Sequence, residues 1–306
     1  MIVLERKKIL VIGSLNMDMV VRMPRMPEIG ETIMGTSFMT VPGGKGANQA
    51  YAAAKLGGKV AMLGATGTDE YGKQLIQGLS EAGVNVENIY RCPETHTGIA
   101  SIHVNQDGNN CIVVVPGANY MCSVDQIAKQ MELIEQCDIL ILQLEIPIEA
   151  VQYAVKAAKE RKKTVILNPA PAPDRIPDDF LEKIDILTPN ETELQRLTGH
   201  STGSLEEIVE ASHVLLDRGV KTLVVTWGSK GAVLITGEKH QLFHVASVKA
   251  VDTTAAGDSF TAALAVAMSE GKSMEDAIQF ANKVATIVVT RLGARTSIPF
   301  REELEE

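Results

Sequence analysis

Ile9-Leu10-Val11-Ile12 is an unbroken apolar run closed by Gly13. A run without polar alternation predicts a strand buried on both faces of a parallel sheet. Comparable runs predict strands over 60–64, 138–144, 164–168, 184–187 and 222–226. Late strands are predicted over 232–235 and 243–248. Between these runs the apolar spacing becomes helical. It predicts helices over 71–82, 125–136, 149–161, 191–197 and 205–217, and an alanine-rich helix ending at Gly57-Gly58. Regular alternation of this kind predicts an α/β fold: a doubly wound, mostly parallel sheet flanked by helices.

Two stretches break the rhythm. From Met19 to Thr40 short extended pieces are punctuated by Pro24, Pro27, Gly30 and Gly35. From Thr97 to Val115 two alternating runs surround Asp107-Gly108, a hairpin signal. We therefore expect one domain over 1–306, carrying a small β-sheet lid inserted from about 17–42 and 95–117. A lid placed over a site excludes water when it closes.

Composition narrows the picture. The chain has 306 residues, 45% hydrophobic and 22% charged, as in a globular protein. Its net charge of −9 opposes nonspecific binding to nucleic acid or an anionic membrane. The N-terminal apolar run is too short for a signal peptide or membrane span. Cys92, Cys111, Cys122 and Cys137 form no Cys-x-x-Cys pair. A cytoplasmic protein with reduced thiols is expected. His240 and His244 are four apart but lack a third ligand for zinc.

The chemistry gathers around Val251-Asp252-Thr253-Thr254-Ala255-Ala256-Gly257-Asp258-Ser259-Phe260. Small residues run into a glycine, an aspartate and an apolar stretch, which reads as a tight loop opening a buried helix. The first amides of a helix lack internal partners, and the dipole there is positive. Ala255, Ala256 and Gly257 have almost no side chain to shield them, so an anion such as phosphate fits against them. Asp258 is either a helix cap or a base that takes a proton from an attacking hydroxyl.

Other polar residues stand where strands finish. Asn16 and Asp18 follow the first strand, where open sheets collect ligands, but they also suit a turn. Glu145 follows Gln143-Leu144 and suits either a sugar hydroxyl or a helix cap. Pro42-Gly43-Gly44-Lys45-Gly46-Ala47-Asn48 forms a loop through which backbone approaches a ligand. It is not a P-loop, and neither is Gly271-Lys272-Ser273, because Val266 stands where the first glycine belongs.

Taken together, the glycine loop and Asp252-Thr253-Thr254-Ala255-Ala256-Gly257-Asp258, about two hundred residues apart, resemble the ribokinase-like family of carbohydrate kinases. The match covers nearly the whole chain. Asn16-Met17-Asp18, Gln143-Leu144-Glu145, Asn168-Pro169-Ala170-Pro171-Ala172 and Thr188-Pro189-Asn190-Glu191-Thr192-Glu193 resemble the ribose-acting members most. The resemblance implies ATP-dependent phosphorylation of D-ribose at O5, and a homodimer through the lid. It implies sugar binding by Asn16, Met17, Asp18, Gly44, Lys45, Gly46, Ala47, Asn48 and Glu145, with Asp258 as general base. The amides of Ala255, Ala256 and Gly257 would form an anion hole. Asn190 and Glu193 match a motif that organises Mg2+ and phosphate through water.

Thr226, Trp227, Gly228, Ser229, Lys230 and Gly231, with Asn282, would line the nucleotide. A monovalent cation, K+, would be held by Asp252, Thr254, Val288, Arg291, Gly293 and Ser297, mostly through carbonyls. Trp227, the only tryptophan, is larger than expected at its position, so it stacks near the base or packs on the loop. A relative acting on another pentose or a nucleoside, a sugar-binding regulator without catalysis, and a dehydrogenase are the alternatives. The last is disfavoured, since Gly13-Ser14-Leu15-Asn16-Met17-Asp18 lacks the dinucleotide-binding glycine pattern.

Overall fold

The computed structural model describes residues 6–237 and 239–304. The first five residues of the charged N-terminal stretch lie outside the described residues. In chain order the strands are β1 (Lys8–Ile12), β2 (Asn16–Arg22), β3 (Ser37–Gly43), β4 (Lys59–Leu63), β5 (Ala65–Gly67), β6 (Tyr90–Cys92) and β7 (Gly98–Val104). Then come β8 (Asn110–Val115), β9 (Ile139–Leu142), β10 (Thr164–Leu167), β11 (Ile186–Leu187), β12 (Thr222–Thr226), β13 (Ala232–Thr236) and β14 (His240–Phe243). Eight of them form one sheet in the order β14-β13-β12-β11-β10-β9-β1-β4. From β12 to β4 the neighbours are parallel, and β13 and β14 close the edge antiparallel.

Burial on both faces explains the apolar runs. Ile9 and Val11 enter one core cluster, while Leu10 and Ile12 enter the other. The first cluster is covered by the helices Lys45–Lys55, Ala256–Ser269 and Met274–Val288. The second lies under Ile148–Glu160 and Leu205–Asp217. Chain order reverses beside β1, which has β4 on one side and β9 on the other. Ligands gather at such a switch point, outside the carboxyl ends of the strands.

The two irregular stretches form a second sheet, β3-β2-β7-β8. β2 pairs antiparallel with β3 and parallel with β7, and β7 pairs antiparallel with β8. Every residue of β8 is exposed.

The strand expected over 184–187 is only Ile186–Leu187, several other ends shift by a residue, and three elements differ more instructively. The helix expected over 125–136 is two, Val124–Ala128 and Met131–Gln136, with a turn in which Gln130 donates to the Ile127 carbonyl. The strand expected over 138–144 stops at Leu142, since Leu144 donates to the Ala170 carbonyl outside the sheet. The last strand covers His240–Phe243 rather than 243–248. Its partner β13 begins at Ala232, paired with Phe243, so residues beyond find no ladder and instead border a cleft.

Candidate active site

Asp258 sits in the first turn of the helix Ala256–Ser269, 9% exposed. Both carboxylate oxygens are held. Asn48 donates from Nδ2 to Oδ2 at 3.1 Å, and Gln49 donates from Nε2 to Oδ1 at 3.0 Å. Both donors lie in the first turns of the helix Lys45–Lys55, which the glycine loop aims at Asp258. Gln49 is itself fixed, because its Oε1 accepts from Gln143 Nε2 at 2.6 Å. Burial raises the Asp258 pKa, while Lys45 and the bonds from Gln49 and Asn48 oppose the rise. The outcome is a carboxylate more basic than a free one and fixed in direction, which suits a general base.

Beside it the backbone is bent to serve the helix mouth. Ala255 takes a left-handed conformation with φ 60°, which a side-chain-bearing residue adopts at a cost. A Cβ on Gly257 would meet nothing within 4 Å, and Gly257 borders a cleft. The Ala256 amide differs from expectation, because it donates to the Thr253 carbonyl at 3.2 Å and closes the turn.

The sugar-facing candidates converge where β2 leaves the main sheet. Asn119 bonds both backbone groups of Leu15 and donates to Asn16 Oδ1 at 2.7 Å. A Cβ on Gly43 would lie 2.3 Å from an Asp18 carboxylate oxygen, so a larger residue here would displace that carboxylate. Gly44 has φ 87°, with its would-be Cβ 2.7 Å from the Asn16 amide nitrogen. Glu145 accepts from the Ser14 hydroxyl and, at 3.1 Å, from the Lys45 amide, with the Lys45 ammonium 3.7 Å away. Burial lifts the Asp18 pKa to about 7, with Glu145 and Asp258 adding to the rise and Arg295 and Lys45 opposing it. Burial pulls Lys45 down, but Asp258, Glu145, Glu193 and Asp18 outweigh it and leave it above its ordinary value. Met17 and Ala47 are buried core residues, so they place the loop rather than offer polar contacts.

On the other side of Asp258 lies a cleft of about 430 Å³. Thr226, Gly228, Ser229, Gly231 and Asn282 border it, as do Asn190, Ala256 and Gly257. Asn282 is fixed by donating to the Phe243 carbonyl at 3.0 Å. Trp227 and Lys230 are not among the residues bordering the cleft, and Trp227 takes the loop-packing arrangement, one of the two open to it. The Lys230 ammonium stacks 3.6 Å from the centre of the Trp227 ring, and the ring packs against the second core cluster. Apolar walls come from Val245, Ala246, Val248, Ala250, Ala285 and Val289, which no motif singled out. Residues 245–248 belong to the expected strand but join no ladder, and with Ala250 they wall the cleft instead.

Asn190 caps the helix Glu191–Thr198 in a reciprocal box: its Oδ1 accepts from the Glu193 amide, and Glu193 Oε2 accepts from the Asn190 amide. Burial raises the Glu193 pKa, and the Asn190 bond and Lys45 oppose that. Asp252 joins two loops, accepting from the Thr254 amide and hydroxyl with Oδ1 and from the Gly293 amide, at 2.9 Å, with Oδ2. Those bonds outweigh burial and hold its pKa below the ordinary value. Ser297 is buried and donates to the Ala294 carbonyl, while the Arg291 side chain turns to Glu303 at 2.6 Å. The Val288 carbonyl accepts from the Arg291 amide.

A buried carboxylate held among polar side chains, in the first turn of a helix whose Ala256 and Gly257 border a cleft of nucleotide size, is an arrangement that suits a small-molecule kinase. The model of the pfkB family of carbohydrate kinases matches residues 6–301, and the chain belongs to that family. A ribokinase of Bacillus subtilis is 42% identical over 301 residues, covering 98% of this chain and 99% of that one. A deoxyribokinase of Salmonella typhi is 37% identical over 298 residues, covering 97% of each. The structure of Arabidopsis thaliana ribokinase complexed with ribose and ATP superposes with a TM-score of 0.91 at 38% identity, over 98% of each chain. Among the described residues no helix is long and apolar enough to cross a membrane.

Proposed function

We propose that the protein transfers the terminal phosphoryl group of ATP to the 5-hydroxyl of D-ribose, releasing D-ribose 5-phosphate and ADP. The observation that carries this is Asp258, held through both oxygens by Asn48 and Gln49 and next in the chain to Gly257, which borders the cleft. Asp258 accepts the proton of the attacking hydroxyl as the new P–O bond forms and the bond to ADP breaks. The sugar is oriented by Asn16, Asp18, Gly44, Asn48 and Glu145. The Gly257 amide, on a residue that borders the cleft, and the helix dipole stabilise charge on the moving group. ATP lies in the cleft, its base against the apolar wall.

Asn190 and Glu193 offer only oxygen donors, which suits a hard cation. One oxygen of each is engaged in the capping box, so Mg2+ would be held through water. Bound there, Mg2+ supplies neutralising charge to the phosphates. Asp252, by tying its own loop to Gly293, brings together the two segments that would hold K+ through carbonyls, with Thr254, Val288, Arg291 and Ser297. The exposed apolar residues Ile112, Val113 and Val114 of β8, with Phe38 and Met39 of β3, support a homodimer through the lid. The enzyme acts in the cytoplasm, where ATP is supplied.

The similarity to a deoxyribokinase keeps 2-deoxyribose as the second reading. A coupled ADP-release assay across ribose, 2-deoxyribose, fructose and adenosine, with and without potassium, separates them. Ribose is expected to give the highest kcat/KM, and potassium to raise it. A higher value for deoxyribose would move the assignment to the second reading.

A further inference from the structure

Arg295 is a buried charge against the glycine loop to which the proposed chemistry gives no role. It lies in the short helix Ala294–Ser297, and although it is an arginine it is only 6% exposed. An arginine that deep is costly unless its donors are engaged. Nη2 donates to the Gly43 carbonyl at 3.2 Å, and Nε donates to Asn48 Oδ1 at 3.4 Å. The guanidinium carbon stands 5.5 Å from the centre of the Tyr51 ring. Nη1 is buried without a hydrogen-bond partner.

Both acceptors belong to the sugar side. The Asp18 carboxylate rests against Gly43, so the residue whose carbonyl Arg295 grips is the floor beneath Asp18. Asn48 presents two ends: Oδ1 accepts from Arg295 and Nδ2 donates to Asp258. By taking the oxygen end, Arg295 fixes which way the amide faces. We infer that Arg295 is a positioning residue of the sugar site, fixing the Gly43 carbonyl and the Asn48 amide so that Asp18 and Asn48 meet the sugar in one arrangement. This rests on the sugar-kinase reading above.

Charge adds a second handle. The groups that set the ionisation of Asp18 are Glu145 and Asp258, which favour its neutral form, and Arg295 and Lys45, which favour its charged form. Hydroxyls of a sugar donate to a carboxylate, so the charged form is the binding form. Removing the arginine charge therefore moves proton uptake by Asp18 to higher pH, and ribose binding weakens on the acid side first.

The test is steady-state kinetics on Arg295→Gln and Arg295→Lys beside the wild type, over pH 5.5–9 (roughly the range in which Asp18 titrates). For Arg295→Gln, KM for ribose is expected to rise about tenfold, as for a lost charged hydrogen bond. The acid limb of kcat/KM for ribose is expected to move to higher pH, with KM for ATP near wild type. Arg295→Lys keeps the charge and loses the planar fork. Its acid limb is expected to stay in place while KM for ribose still rises. A ribose KM and acid limb equal to wild type in Arg295→Gln would overturn the inference, as would a lowered Tm with an unmoved limb. If that variant does not fold, Arg295→Lys decides: a wild-type ribose KM overturns it. A changed potassium dependence with unchanged ribose KM would assign Arg295 to the cation loop and also overturn it. Wild-type turnover of ribose checks the activity separately, since the inference is judged only from variant-to-wild-type ratios.

Discussion

At Asp258 and Asp18 the protein uses burial in two ways. Asp258 is surrounded by donors aimed at both oxygens, so it stays fixed while burial makes it more basic. Replacing it by Asn removes the proton acceptor but keeps the shape. Asp258→Asn is expected to cut kcat by about 10²–10⁴-fold with ribose binding largely kept, measured by turnover and by calorimetric titration. Asp18 is raised from 3.8 to about 7, so the folded state favours its neutral form. The stabilisation from that preference is complete below the unfolded value and is lost as pH rises through about 7. At pH 8 the native protein therefore carries a charge that its surroundings disfavour. Asp18→Asn is expected to raise Tm at pH 8 and to weaken ribose binding, with a smaller gain in Tm at pH 4. A thermal melt at the two pH values checks it.

Two helix starts are pointed at one place. The helix Lys45–Lys55 delivers Asn48 and Gln49, and the helix Ala256–Ser269 delivers its amides and Asp258. Each begins from a backbone turn that side chains disfavour, at Gly44 and at Ala255. The open space at Gly257 is usable as a probe. A valine there meets no protein atom at its Cβ but covers the amide, so Gly257→Val is expected to melt near wild type and to lose roughly a hundredfold in kcat. A similar loss confined to Tm, with kcat retained, would show that the amide does not face the phosphoryl group.

On the scale of the molecule, the eight-stranded sheet is a rigid base and the four-stranded sheet projects from it. The smaller sheet is joined to the main one where β2 starts, through Asn119 and the glycine loop. Its far strand leaves Val113 63% and Ile112 51% exposed, a patch that a partner copy would cover. On the proposed dimer, Val113→Glu is expected to lower the mass seen by light scattering to that of one chain, beside a wild type at the mass of two, and to lower Tm. A wild-type chain that runs as a monomer would remove this reading of the patch.

The sequence by itself determined the layered α/β fold and the extended segments that form the second, smaller sheet. Burial on both sides of a sheet, tight turns and helix starts each leave a local pattern of residue types, and that pattern can be read in a few neighbours. It also drew the strand pattern of 243–248, correctly as pattern and wrongly as structure, because a strand exists only where a partner is present. The tertiary structure decided the partners: Asn119 on Leu15, Gln49 on Asp258 and Arg295 on Asn48 are 104, 209 and 247 positions apart. It also decided that Trp227 packs with Lys230 rather than facing the cleft. Hydrogen bonds of that kind depend on where the chain returns in space, and residues so far apart carry no shared periodicity that a single sequence could display.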